Sequence, residues 1–228
     1  MRGRRLNLLF AMIVSTCCQA TVWTDWTTYS VGTPGTASGS LDGVTVSYIG
    51  EVTATATRVD GSSRIWSPDS TWIGGPVTSS PSVIGDAISL QGGYRGINAV
   101  TFSAPVLDPT LAVWSLGRTV VSGGYLVTSS FLFDSPPSLD AMGPSADYGL
   151  GVIAISGLRL DGAEGNATIT FPGKHSSLSW TQGAPEYYYA FTVGAGLRAI
   201  PEPGSLALLI AAVAALALYT TYRRTYGQ

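Results

Sequence analysis

Larger and smaller side chains alternate along the segment Tyr187-Tyr188-Tyr189-Ala190-Phe191-Thr192-Val193. In an extended chain, successive side chains point to opposite faces. One face of this segment therefore holds two tyrosines, a phenylalanine and a valine, and the other holds a tyrosine, an alanine and a threonine. A period of two with one more polar face is typical of a half-buried antiparallel strand.

The same alternation recurs through residues 21–199. Residues 44–48, 100–104 and 168–171 are shorter alternating runs, and residues 152–155 form a continuous apolar run compatible with a central strand. Clusters of Gly, Pro, Asn and Asp separate these runs, and no long helical period is present. We therefore predict an all-β fold in which residues 21–199 form a single antiparallel β-sandwich of jelly-roll type.

The composition excludes several classes of protein. The chain has 228 residues, of which 45% are hydrophobic and only 11% are charged, against roughly 25% charged in a typical soluble domain. Its aromatic content argues against disorder, and the scarcity of Glu and Lys argues against a helical bundle. Residues 21–200 carry seven basic and thirteen acidic side chains, a net charge of −6, so we expect no nucleic-acid partner.

The N-terminal residues 1–20 have the organisation of a secretory signal peptide. Arg2, Arg4 and Arg5 precede an apolar core at residues 6–14, and small or polar residues end at Ala20. A retained membrane anchor and a lipoprotein lipidated at Cys17 are the alternatives. Cleavage after Ala20 removes both cysteines of the chain, so the exported domain has to be stabilised without disulfides.

The C-terminal residues 204–222 contain no charged side chain. As a helix rising ~1.5 Å per residue, this segment is roughly 28 Å long, close to the thickness of the apolar bilayer core. Arg223 and Arg224 follow at once, and positive charge favours the cytoplasmic side. We expect a single-pass membrane precursor with its ectodomain outside; the alternative is a helix buried in a soluble domain.

The tripeptide Pro201-Glu202-Pro203 precedes this segment. Each proline biases the residue before it toward an extended backbone, which makes the segment accessible to a processing enzyme. The tripeptide, the apolar span and the arginine cluster together resemble the PEP-CTERM sorting signal over residues 200–228. The resemblance implies export through the inner membrane of a Gram-negative bacterium that makes exopolysaccharide, recognition by exosortase, and a final location at the cell surface or outside the cell.

Weaker resemblance to the ectodomains of such proteins lies in three short segments, Trp23-Thr24-Asp25-Trp26, residues 43–48 and residues 177–181. That resemblance implies the same cellular location and does not imply any chemical activity.

Two binding sites are suggested by residue type. Asp161, Glu164 and Asn166 cluster with glycines in one loop, and oxygen ligands of this kind suit calcium; ordinary turn chemistry is the alternative. Large aromatic side chains beside polar groups suit carbohydrate, and we take Trp23, Trp26 and Tyr188 as candidates. The alternative is that these aromatics fill the core.

The residue pattern gives little indication of a catalytic site. His175 is the only histidine, and the ectodomain glutamates Glu51, Glu164 and Glu186 show no paired spacing. We expect no catalytic residue, no cofactor except calcium, and a non-enzymatic exported surface protein with a structural or interaction role linked to exopolysaccharide. A carbohydrate-binding module of the matrix is the second hypothesis. A glycoside hydrolase with an unrecognised carboxylate pair is the third.

Overall fold

The computed structural model describes residues 20–61, 64–82, 85–120, 125–147 and 151–196, together with Val213 and Leu216. Gln19–Arg198 is one compact unit of the chain. The second unit combines Met1–Cys18 with Ala199–Gln228; of it the structure describes only Val213 and Leu216, which are helical and exposed. The predicted signal peptide and the sorting motif therefore lie outside the described residues, as does nearly all of the predicted span. No helix that the structure describes is both long enough and apolar enough to cross a bilayer.

Strands make up the regular structure of the described residues 20–196, apart from one 3-10 turn at Asp69–Thr71. This confirms the predicted all-β class. The strands are β1 (Thr21–Trp23), β2 (Asp25–Ser30), β3 (Gly32–Leu41), β4 (Val44–Arg58), β5 (Ala87–Leu90), β6 (Asn98–Leu107), β7 (Thr110–Leu116), β8 (Arg118–Val120), β9 (Tyr125–Val127), β10 (Ser129–Phe133), β11 (Ser138–Met142), β12 (Val152–Ser156), β13 (Arg159–Ala163), β14 (Gly165–Thr170), β15 (Lys174–Gln182) and β16 (Tyr189–Gly196).

Fourteen of these strands form one antiparallel sheet, and β8 and β9 form a separate hairpin. The main order is β11-β14-β7-β16-β5-β4-β6-β15-β10-β13-β12, with β1 added on β16, β3 on β4 and β2 on β3. The long strand β4 joins two halves of this sheet. Residues Val46 to Ile49 pair with β6, whereas Thr53 and Arg58 pair with β5. We call the part that contains β1, β5, β7, β11, β14 and β16 the β16 half, and the part that contains β2, β3, β6, β10, β12, β13 and β15 the β6 half.

The main core draws its side chains from both halves of the sheet. Phe191 on β16 lies at the meeting point, with ring centroids 5.0 Å from Tyr48, 5.2 Å from Trp180 and 6.4 Å from Trp26. Most of these ring pairs meet edge to face, the arrangement that the charge distribution of aromatic rings favours. The inner faces of the two halves are therefore held together by interlocked aromatic rings.

A second core covers the opposite face of the β16 half. It combines Ala112, Trp114 and Ala190 from the strands with Trp66 and Trp72 from residues 64–82. The indole of Trp66 donates to the carbonyl oxygen of Asp86 at 3.1 Å and lies edge to face with Trp72 at 5.0 Å. As a result β16 is buried on both faces, and the prediction of a half-buried strand is wrong there.

The apolar run at residues 152–155 is also placed differently from its prediction. It lies in β12, at the end of the strand order rather than at its centre. Ile153 is buried and Val152 is 63% exposed. A short apolar run does not specify what covers each face of a strand, so its position in the sheet depends on the tertiary packing.

Truncation of the central ring tests this description of the core. We expect Phe191→Ala to lower the free energy of unfolding by roughly 3–5 kcal/mol, because it removes buried apolar area and leaves a cavity between the two halves. Tyr187→Ala is the matched control, since Tyr187 is 72% exposed and its loss should cost less than about 1 kcal/mol. Urea denaturation of both variants measures the difference; equal losses would contradict the central position of Phe191.

Candidate functional site

A concave cleft lies beside Trp23 in the described part of the chain. It has a volume of about 480 Å³. Its lining includes Trp23, Thr24, Asp25, Asp60, Asp86 and Thr192. We call it the Trp23 cleft. The residues come from β1, β2, β16 and the connection between β4 and β5, so residues distant in sequence build it together.

The indole of Trp23 is held in a fixed position. Its Nε1 donates to the carbonyl oxygen of Ser79 at 3.0 Å. Trp23 pairs with Gly194 on β16, and a Cβ atom added at Gly194 would lie only 2.7 Å from the indole Cε3. Glycine at this position therefore lets the ring lie directly against the neighbouring strand. A rigid aromatic ring loses little conformational freedom when a ligand stacks on it.

Three carboxyl groups make the Trp23 cleft acidic. Asp86 is buried, and its two oxygens accept hydrogen bonds from the N–H of Trp26 and of Gly61, both at 2.7 Å. Burial raises the pKa of Asp86, the two N–H groups oppose that rise, and the charges of Asp25 and Asp60 add to it. An aromatic face beside carboxylates suits a ligand with an apolar ring face and hydroxyl or cationic groups.

The other two predicted carbohydrate residues do not line this cleft. Trp26 is fully buried, and its Nε1 donates to Thr192 Oγ1 at 3.2 Å. A side chain without an exposed face cannot stack on a sugar, so the prediction for Trp26 is corrected to a core residue. Tyr188 is half-buried and stacks on Trp114 with ring centroids 5.7 Å apart.

The predicted calcium ligands are engaged with other groups of the protein. Asp161 forms an ion pair with Arg159 at 2.7 Å. Glu164 Oε1 accepts a hydrogen bond from Ser115 Oγ at 2.6 Å, and Asn166 Oδ1 accepts one from the N–H of Ser115 at 2.8 Å. Among the described residues, no group of three or more His, Cys, Asp or Glu side chains could hold a metal ion. Calcium binding stays a prediction.

The structure also brings together two glutamates that the sequence did not pair. Glu186 Oε1 accepts a hydrogen bond from the N–H of Gly117 at 2.7 Å. Burial raises the pKa of Glu186 to about 8, opposed by that N–H and by Arg118, and the charge of Glu164 adds to the rise. The raised pKa favours the protonated form of Glu186 at neutral pH. Sequence spacing did not indicate this arrangement, because it arises where Glu164 and Glu186 bind the neighbouring residues Ser115 and Gly117.

No protein-family model, no curated protein and no solved structure matches this chain.

The raised pKa of Glu186 predicts how the stability depends on pH. A carboxyl group whose pKa is higher in the folded state stabilises that state when protonated. This contribution is complete below the ordinary value of 4.5 and is lost as the pH rises to about 8. We expect the free energy of unfolding to fall by about 2–4 kcal/mol across this interval.

Glu186→Gln should make the profile flatter between pH 6 and 8, since the amide oxygen can still accept from Gly117. Asp147→Asn, at an exposed carboxyl group, is the control and should leave the profile unchanged. Urea denaturation at pH 5, 6.5 and 8 measures the effect. A wild-type profile that does not fall, or a Glu186→Gln profile as steep as wild type, would show that Glu186 is not protonated in the folded protein.

Proposed function

We propose that this protein is an exported surface protein, delivered by a cleavable C-terminal sorting tail. The order of three features supports this: Pro201-Glu202-Pro203, the uncharged residues 204–222, and the pair Arg223 and Arg224. The arginines favour a cytoplasmic end for a transmembrane helix at residues 204–222, which puts the ectodomain outside. The single observation that carries the proposal is this order of the three features in a chain that also contains the signal-like residues 1–20.

The processing partner in this proposal is exosortase. The two prolines keep the backbone extended at the outer surface of the membrane, where a protease can bind it. Removal of the helix then releases the ectodomain, which we interpret as a β-sandwich, to the cell surface or the matrix. The proposed role is structural or interactive rather than catalytic, since the buried carboxylates accept hydrogen bonds from main-chain N–H groups of the fold.

Carbohydrate binding is the second candidate function, and the Trp23 cleft favours it. The cleft combines a fixed indole with the carboxylates of Asp25 and Asp60 and with threonine side chains. A sugar can stack its apolar face on the indole while its hydroxyl groups donate to the carboxylates. The resulting module would act on a matrix polysaccharide.

Intact mass of the protein from cells that make exosortase tests the sorting proposal. We expect a mass that lacks residues 204–228 in the wild type and the unprocessed mass in Glu202→Ala, because the variant loses the acidic residue between the two prolines. Asp147→Ala, outside the tail, should be processed like the wild type. A wild-type protein that retains residues 204–228 in such cells would contradict the proposal.

A glycan array with the purified full-length protein tests the Trp23 cleft. We expect binding to at least one matrix sugar and a loss of about tenfold in affinity for Trp23→Ala, the size of one stacking contact. Tyr187→Ala removes an exposed aromatic ring outside the cleft lining and should bind as the wild type does. If no sugar binds, or if Trp23→Ala binds equally well, the cleft is not a carbohydrate site.

A further inference from the structure

The outer face of the β6 half, with adjoining β4, carries hydroxyl side chains in register across five strands. The central row consists of residues that pair from each strand to the next: Thr28, Ser38, Ser47, Thr101 and Ser177. All five side chains point away from the core, and all but the half-buried Ser38 are exposed. We call this surface the hydroxyl face.

Neighbouring rows extend the hydroxyl face in both directions along the strands. Ser30 and Thr36 form a pair on one side, and Ser40 and Thr45 form a pair on the other. Adjacent strands lie about 4.8 Å apart, and residues on one face of a strand repeat every ~6.8 Å. The sheet therefore spaces its hydroxyl groups on a regular two-dimensional lattice.

Most of the central row is available to a ligand. In the described part of the chain, the side-chain hydroxyls of Thr28, Ser38, Ser47 and Ser177 form no hydrogen bond within the protein, and that of Thr101 makes one long contact of 3.4 Å to the carbonyl oxygen of Ser47. These oxygens can both donate and accept. A depression of about 310 Å³ is lined by four members of the row, Thr28, Ser38, Ser47 and Thr101.

The hydroxyl face carries almost no charge. The rows that we describe contain no ionisable side chain except Asp25, which pairs with Ser40 at the margin. An anionic polymer would find no cation in these rows, and the ectodomain charge of −6 would repel it. A protein partner would usually require aromatic or arginine anchors. The rows described above offer instead one exposed apolar side chain, that of Ile49, which is 50% exposed.

We propose that the hydroxyl face binds a neutral polysaccharide chain laid across the strands. On binding, the hydroxyl groups of the protein give up hydrogen bonds to water and form hydrogen bonds to sugar hydroxyl groups. Ile49 contacts the apolar face of a pyranose ring. Each contact is weak, but a polymer that repeats along the lattice forms many such contacts at once, which raises the overall affinity. This inference rests on the proposed function only in that the protein has to lie outside the cell to meet such a polymer.

Co-sedimentation of the purified full-length protein with insoluble neutral polysaccharides tests this inference. The probes are cellulose and chitin, with alginate as the anionic comparison. We expect binding to at least one neutral probe and at least tenfold weaker binding to alginate. The triple variant Ser38→Ala/Ser47→Ala/Thr101→Val should lose at least tenfold in affinity for the neutral probe.

The matched control variant makes the same types of change at exposed positions outside these rows: Thr55→Val/Ser70→Ala/Ser156→Ala. It should bind within twofold of the wild type. Thr101→Ser keeps the hydroxyl group and should also bind normally. The single variant Ser47→Ala, at an exposed side chain, should weaken binding measurably even if the triple variant proves unstable in a thermal melt.

The outcomes separate the hydroxyl face from the other proposals. Absence of binding to both neutral probes, or unchanged binding of the face variants, would overturn this inference. Binding that is lost in Trp23→Ala and kept in the triple variant would assign the sugar to the Trp23 cleft and overturn it as well. If the C-terminal tail is not cleaved, the sorting proposal is contradicted, whereas the interpretation of the sedimentation result does not change.

Discussion

Burial of β16 on both faces is the constraint on which the compact unit Gln19–Arg198 depends. One face brings Phe191 against aromatic rings of the β6 half, and the other brings Ala190 under the tryptophans of residues 64–82. Small residues at Ala112 and Ala190 leave room for Trp66, Trp72 and Trp114. The described residues contain no cysteine, so this part of the chain depends on apolar packing rather than on disulfides for its stability.

Three carboxyl groups accept hydrogen bonds from main-chain N–H groups in turns of this fold. Glu51, Asp86 and Glu186 accept hydrogen bonds from the N–H groups of Gly92, Gly61 and Gly117, all at 2.7 Å. Each of these glycines has a positive φ, a conformation that side chains disfavour and that turns the N–H inward. The acids thereby satisfy main-chain donors that turns would otherwise leave unpaired.

The surface divides into regions of different chemistry. The Trp23 cleft joins an aromatic ring to acidic groups, whereas the hydroxyl face offers neutral groups on a lattice. Asp25 belongs to the lining of the cleft and also pairs with the outermost hydroxyl row. Both surfaces suit hydroxylated ligands, and they differ in charge and shape, so variants at one need not disturb the other.

Local pattern alone determined the all-β class and the antiparallel strands, because alternation and turn residues report how each residue stands relative to its neighbours in the chain. It also supplied Trp23 as a candidate. Only the tertiary structure decided that β16 is covered twice, that β12 is at an edge, that Trp26 is in the core and that Glu164 lies near Glu186. Each of these depends on which distant segment packs on a face, and a period of two carries no information about that.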